Sequence, residues 1–375
     1  MTTLPRITVM PPLPFKLYAH RPLRKLPFPL EEPRCQIFSL ARQGLFMGIK
    51  ALGFDPGDEI LVPAYHHGSE IEALVQAGIR CRFYDAGQGR LLEPGKEDLE
   101  ALLDDRVRAL YLTHYLGLPQ DTARWRAWCD EHDLLLIEDA AQAWLSSRDG
   151  TPVGTYGDLS IFCLYKTIGV PDGAAVVSDS PLEPPCSKRS IGMGRVALRH
   201  AAYLAQRWGW FADLRRRFKG ADEYDPDLEQ EFGLGDPRRP PYATTEFLLA
   251  RAAYPAVQAM RATNYAFLLE RLERFVPKQF AHIPEGAAPF AFPLQTNRKE
   301  QLFTRLARRG IFASNFWSIP HPCLPTAGFP RAATLRNSIL ALPVHQELSG
   351  RELERVVDTV LSELQRVDRQ RSPER

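Results

Sequence analysis

The run Leu134-Leu135-Leu136-Ile137 ends in two acids, Glu138-Asp139. Four consecutive apolar residues read as a strand buried on both faces, as in sheets covered by helices on either side. A carboxylate at the C-terminal end of such a strand lies where open α/β sheets hold their ligands. The surrounding chain keeps the same rhythm. Ile60-Leu61-Val62, Arg80 to Tyr84 and Ala109 to His114 read as further strands. Between them Ala41–Leu52, Ser69–Gln76, Lys96–Leu103 and Thr122–His132 carry helical spacing. Strands alternating with helices at this interval predict βαβ units and a largely parallel sheet.

Lys166 follows Asp139 by 27 residues, just after another strand-like stretch, Leu159-Ser160-Ile161-Phe162. A Pro171-Asp172-Gly173 turn and the strand Ala174-Ala175-Val176-Val177 come next. An acid and a lysine delivered to one rim of a sheet are what pyridoxal phosphate (PLP) chemistry requires. The lysine forms the Schiff base, and the acid holds the pyridinium proton.

The 375 residues suffice for two domains, and 45% hydrophobic with 25% charged residues is ordinary for a globular chain. The net charge of +2 gives no reason to expect a nucleic-acid partner. Six scattered cysteines form no CxxC pair, which argues against a zinc site or a disulfide framework and for free thiols in a reducing cytoplasm. The adjacent His66 and His67 are poorly placed to face one ion together, so no metal is expected. No apolar run reaches the ~20 residues that span a bilayer. Residues 1–34 read as a proline-rich arm without a signal-peptide core, packing on the fold or on a partner subunit. Residues 35–250 read as the large domain, with a basic helical insert at about 190–240, and 251–375 as a smaller α/β domain.

With these residues in hand, the chain resembles the DegT/StrS-like sugar aminotransferases, a branch of the fold-type-I PLP enzymes. The resemblance runs from about residue 35 to 365. It rests on Gly57-Asp58-Glu59-Ile60, Thr113-His114-Tyr115-Leu116-Gly117, Glu138-Asp139-Ala140-Ala141-Gln142, Gly157-Asp158-Leu159 with Lys166 and Gly173, and Leu342-Pro343-Val344-His345. The five segments in this order are specific where each alone is weak. The resemblance implies a mostly parallel seven-stranded sheet in the large domain and a soluble homodimer. It implies that Lys166 carries the cofactor and shuttles the proton, that Asp139 faces the pyridine nitrogen, and that Gln142 lies near the phenolic oxygen. The ring-stacking position falls on His67, with His66 as its competitor.

Several positions depart from the family pattern around the phosphate. Leu40, Ala41 and Arg42 stand where the family usually has Ser-Gly-Thr at a helix start. Cys163 replaces a serine, and Pro241-Tyr242-Ala243 replaces a cross-subunit Asn-Tyr-Arg segment. Arg42 is expected to compensate with a charge-assisted contact. The implied reaction moves an amino group, glutamate being the expected donor, to a keto-sugar that is nucleotide-linked, in polysaccharide or secondary-metabolite biosynthesis. The alternatives are a non-nucleotide ketone or aldehyde, such as a cyclitol or lipid-linked intermediate, and a non-catalytic binding or regulatory protein. The basic stretch Arg195–Lys219 is open to three readings: a solvated face, a membrane-surface contact, or a pyrophosphate-binding element.

Overall fold

The computed structural model describes residues 4–208 and 232–369. Seven strands form the main sheet: β2 (Cys35–Phe38), β3 (Glu59–Pro63), β4 (Arg80–Tyr84), β5 (Val107–Thr113), β6 (Leu135–Asp139), β9 (Leu159–Cys163) and β10 (Ala174–Ser178). Their spatial order is β2-β10-β9-β6-β5-β3-β4. From β9 to β4 every pairing is parallel; β10 runs antiparallel to both of its neighbours. The expected mostly parallel α/β sheet is therefore present. The antiparallel β10 follows from the short turn at residues 171–173, because a parallel return needs a crossover of a dozen residues or more.

Strands β3, β9 and β10 are buried along their whole length. Helix α1 (Ala41–Leu52) covers one face over β9 and β10. It lies so close that a Cβ on Gly44 would overlap the Val176 side chain, and one on Gly48 that of Leu159. Helices α2 (Ser69–Gln76) and α3 (Lys96–Glu100) follow β3 and β4. On the other face α4 (Thr122–Glu131) seats Trp125 and Trp128 over Leu110, Leu112 and Leu136.

A small hairpin, β7 (Ser147–Arg148) with β8 (Thr151–Pro152), lies between β6 and β9. The single turn α5 (Leu164–Thr167) follows β9, and α6 (Met193–Arg207) follows β10. The helix expected over Arg195–Lys219 thus begins at Met193; residues 209–219 lie outside the described residues, as do 220–231 of the loop expected over Gly220–Pro241. Pro255 marks a boundary between α7 (Ala243–Ala252) and α8 (Ala256–Leu272) rather than a kink in one helix. The C-terminal elements are β11 (Ala291–Gln295), α9 (Lys299–Arg308), β12 (Ile311–Phe312), α10 (Pro330–Ser338), β13 (Ile339–Pro343) and α11 (Gly350–Arg369).

The N-terminal arm packs on its own chain. Its strand β1 (Ile7–Thr8) pairs in parallel with β12, Leu13 N–H donates to the Arg199 carbonyl on α6, and Leu23 N–H donates to Ala250. Ile7, Leu13 and Leu17 are buried. Among the described residues no helix is long and apolar enough to cross a membrane.

Candidate active site

Side chains alternate faces along a strand, so Glu138 and Asp139 point to opposite sides of β6. Asp139 faces a cavity. Its Oδ2 accepts from Tyr111 Oη–H at 3.0 Å, and its Oδ1 accepts from Ala141 N–H at 2.9 Å. Burial raises its pKa above the usual carboxylate value and nearby Glu70 adds to the rise. The Ala141 N–H, Lys166 and Tyr111 oppose it. Glu138 is fully enclosed on the far side. It accepts from Gly154, Tyr156 and Gly157 N–H at 2.9, 2.8 and 2.7 Å, and from His114 Nε2 at 3.1 Å. The Nδ1 of His114 accepts from Gln120 N–H at 3.1 Å, so both its nitrogens are engaged away from the cavity.

Lys166 sits on α5, and the turn behind it is pinned on two sides. Gly173, at φ +112°, takes the left-handed conformation that reverses the chain. Its N–H donates to Ser39 O and its carbonyl accepts from Leu164 N–H. Asp172 accepts from Ser39 Oγ at 2.8 Å, Thr245 Oγ1 at 2.5 Å and Tyr242 N–H at 3.1 Å. Pro241-Tyr242-Ala243 is thus the start of α7, held to the lysine turn of its own chain. From the other side Arg261 on α8 reaches the backbone of the lysine turn. Its Nη2 donates to Thr167 O at 2.6 Å and Lys166 O at 3.3 Å, while Nη1 binds Pro289 O and Nε binds Gln346 Oε1. Arg261 is fully buried, and burial brings its guanidinium down to about 9.

A cavity of about 190 Å³ is lined by Ala41, Arg42, His67, Asp139, Gln142, Cys163 and Lys166, the seven residues expected from the sequence. A second cavity of about 360 Å³ shares His67, Gln142 and Lys166 and extends to Phe290, Asn315, Phe316 and Trp317. His67 therefore lines the site. His66 does not: it is wholly buried, donating from Nδ1 to Pro63 O at 3.0 Å and accepting at Nε2 from His321 N–H at 3.1 Å. Burial lowers its pKa to about 4. Gln142 Oε1 accepts from Leu116 N–H at 2.7 Å, which fixes its amide at the cavity edge. Arg42 Nη1 donates to Gly233 O at 2.9 Å. Burial pushes the Cys163 thiol up. His345 is buried apart from the cavities, and burial lowers its pKa to about 3.

Four contributors were not anticipated: Tyr111, Glu70, Trp317 and Arg261. Tyr111 was legible in principle, since it shares a strand face with Thr113, the residue paired with Asp139. Glu70 accepts from His67 N–H and Gly68 N–H at the start of α2, a helix-capping signal. Trp317 and Arg261 come from distant elements, and nothing local marks them.

The donor set suits a charged pyridine bearing a phosphate. An N–H⁺ against Asp139 would supply the opposite charge that this buried carboxylate favours. His67 offers a flat face and Lys166 an amine. The first N–H groups of α1, which have no intrahelical acceptor, begin at the cavity wall at Ala41 and Arg42.

The sequence model of the DegT/DnrJ/EryC1/StrS aminotransferase family matches residues 34–196. Over those residues this chain is similar to that family. A GDP-perosamine synthase of Vibrio cholerae is 35% identical over 140 residues, a match spanning 37% of this chain and 38% of that protein. A dTDP-4-dehydro-2,3,6-trideoxy-D-glucose 4-aminotransferase of Saccharopolyspora spinosa is 27% identical over 342 residues, covering 88% of this chain and 84% of that one. The fold is that of DesI, determined in the presence of its TDP-sugar product, with a TM-score of 0.67 at 19% identity over 99% of this chain and 97% of that one. The departures from the family pattern at Leu40-Ala41-Arg42 and Cys163 all line the smaller cavity.

Proposed function

We propose that this aminotransferase takes an amino group from glutamate and delivers it to the keto carbon of a nucleotide-linked sugar, with PLP held by Lys166. One observation carries the reading: Lys166 on α5 and Asp139 at the end of β6 line one cavity, which shares the lysine with a larger cavity beside it. When bound, PLP supplies the electron sink that makes a proton on the substrate carbon acidic.

The chain's residues do the rest. Lys166 lines both cavities, so its amine can take a proton on the substrate side and return it on the cofactor side. Asp139 keeps the ring nitrogen charged, and Tyr111 with the Ala141 N–H orients its carboxylate. His67 would stack on the ring, Gln142 would lie near its phenolic oxygen, and the α1 start with Arg42 would hold the phosphate. Phe290, Phe316 and Trp317 exclude water from the substrate side.

The larger cavity favours one alternative. Among its described lining residues Lys166 is the one cation, and much of the rest is aromatic. That suits a ketone without a pyrophosphate. An assay with glutamate and a panel of nucleotide-linked keto-sugars, reading 2-oxoglutarate, tests the choice. Turnover with a nucleotide sugar supports the main reading. Turnover only with cyclitol or lipid-linked ketones selects the alternative, and a cofactor-loaded protein that consumes no donor defeats both.

We further propose a cytoplasmic homodimer. Ile191, Met193, Leu198 and Trp208 are exposed along and around α6, apolar surface suited to a second copy. Light scattering should return twice the chain mass; the mass of a single chain would overturn the assembly.

A further inference from the structure

Among the described residues, His67, Gln142, Lys166 and Trp317 line both cavities. Lys166 is held from behind by Arg261. A second buried arginine, Arg336 on α10, holds Trp317 and the chain beside His67. Its Nη1 donates to Trp317 O at 2.5 Å and to His66 O at 3.3 Å, and its Nη2 to Ala64 O at 2.8 Å. Between the last two carbonyls, Tyr65 O accepts from Tyr115 Oη–H at 2.9 Å. On the amide side of the same segment, Glu70 accepts from His67 and Gly68 N–H at 2.9 and 3.1 Å. The chain that leads from β3 into His67 is therefore held on both its carbonyls and its N–H groups.

Trp317 needs such a hold. Its φ of +49° lies in the left-handed region that a residue with a Cβ seldom adopts. Its indole packs on Phe316, Tyr65 and Tyr115, with ring centroids 4.5, 5.1 and 5.4 Å away. Releasing its carbonyl would let the residue relax toward a commoner conformation and carry the indole with it. Arg336 is fixed from its own side as well. Lys299 Nζ donates to Arg336 O at 2.5 Å. At the other end of α10, Arg331 and Ala332 N–H donate to Asp85 at 3.0 and 2.8 Å. A guanidinium drawn out of water is costly unless its donors are met. Here they are met by carbonyls of the segments that carry two walls of the site.

We propose that Arg336 is a positioning residue for transamination: it fixes Trp317 and the approach to His67, and so sets the orientation of the indole and the imidazole that border both cavities. Arg336 is not among the residues lining either cavity, so its effect travels through those two side chains. The role rests on the reading above, in which PLP is held at Lys166 and glutamate is the donor. Reacting groups displaced by about 1 Å lose about 10²-fold in rate. A wall that shifts is therefore read in the rate of the bound complex more than in how tightly the donor is held.

The test mixes the full, PLP-loaded chain with glutamate in a single turnover and follows the loss of visible absorbance. Arg336→Lys keeps the charge but not the fork that reaches three carbonyls. Its maximal rate should fall about 10²-fold, while half-saturating glutamate moves by less than about threefold. Before glutamate is added, the induced circular dichroism of bound PLP should change while the far-ultraviolet spectrum does not. Trp317→Phe should lower the rate by itself. In the double variant Arg336→Lys should then cost less than about 10-fold further, because the indole it positions is gone. Losses that multiply in full, or an Arg336→Lys protein that melts lower but keeps the parent's rate and dichroism, overturn the role. If the parent does not react with glutamate, the donor assignment fails, and the dichroism of Arg336→Lys alone decides the positioning role. Should Arg336→Lys not fold, Lys299→Met, which frees only the Arg336 carbonyl, takes its place. It should move the rate and the dichroism in the same direction by less, and no movement overturns the role.

Discussion

The two sides of the sheet at the end of β6 carry neighbouring carboxylates with different work. Glu138 is surrounded by four donors from its own chain. Asp139 has two, Tyr111 and Ala141, and its other side faces a cavity. Both are buried, so exposure does not separate them. What separates them is satisfaction. A carboxylate whose acceptor sites are filled by backbone N–H groups is a structural anchor. One left with spare acceptor capacity beside an open volume and a lysine can serve a ligand. The motif containing Glu138-Asp139 is thus two devices: one holds the 154–157 turn, the other faces the cavity.

The comparison is broken most sharply at Lys166. Lys166→Ala leaves both carboxylates in place and should remove the visible absorbance of the loaded protein. Turnover should fall about 10⁴-fold, the upper range for loss of a general base. A variant that keeps its absorbance and is still trapped by borohydride would move the role to another lysine.

Asp139→Asn should lower turnover by about 10²–10³-fold, the scale of a lost preorganised electrostatic contact. Its stability effect has the opposite sign. Burial raises the native pKa of Asp139, so the native protein without cofactor binds this proton more tightly than the unfolded chain. Stability is then lost as pH rises from the ordinary carboxylate value of ~3.9 through the native one. Asparagine removes that loss, so at neutral pH the apo-variant should melt no lower than the parent. PLP should add less to its melting temperature. A clear fall in the apo melting temperature would show that Asp139 anchors structure as Glu138 does.

Glu138→Gln is the converse. An amide offers one acceptor oxygen and points N–H groups at backbone N–H groups. The loss should be about 3 kcal/mol, read as a lower urea midpoint, because buried donors lose a charged acceptor. Turnover per folded molecule should stay within about threefold. A variant as stable as the parent but inactive would place Glu138 in the chemistry.

The sequence revealed what short-range pattern encodes. Apolar runs and helical spacing located the strands, and the motif order brought seven residues to one cavity. The partners that hold those residues were hidden. Arg261 lies 95 residues from Lys166 yet grips its carbonyl. β1 finds β12 some three hundred residues away, and Tyr111 meets Asp139 across a strand pair. Such contacts depend on which elements become neighbours, and periodicity carries no such information. His66 and His67 were indistinguishable for a related reason: at a strand end the alternation stops, and only the bonds to Pro63 and His321 decide which ring turns inward.

The smallest expected effect lies at the phosphate end, where the comparison takes another form. Arg42 reaches Gly233 O, and its neighbour Gln43 reaches Leu234 O, so the first turn of α1 straps down the 233–234 segment. Arg42 also lines the cavity. Like the two carboxylates, it is either an anchor or a ligand group. If it contacts the phosphate, Arg42→Ala removes a charge-assisted bond worth ~1.5–3 kcal/mol, and the PLP dissociation constant should rise at least ~10-fold. Arg42→Lys should recover part of that loss through charge alone, since a lysine keeps the charge without the planar fork. Equilibrium dialysis of PLP with the three proteins separates the cases. Unchanged affinity in Arg42→Ala, with a lower melting temperature, would mean that Arg42 serves Gly233 and leaves the α1 backbone to hold the phosphate.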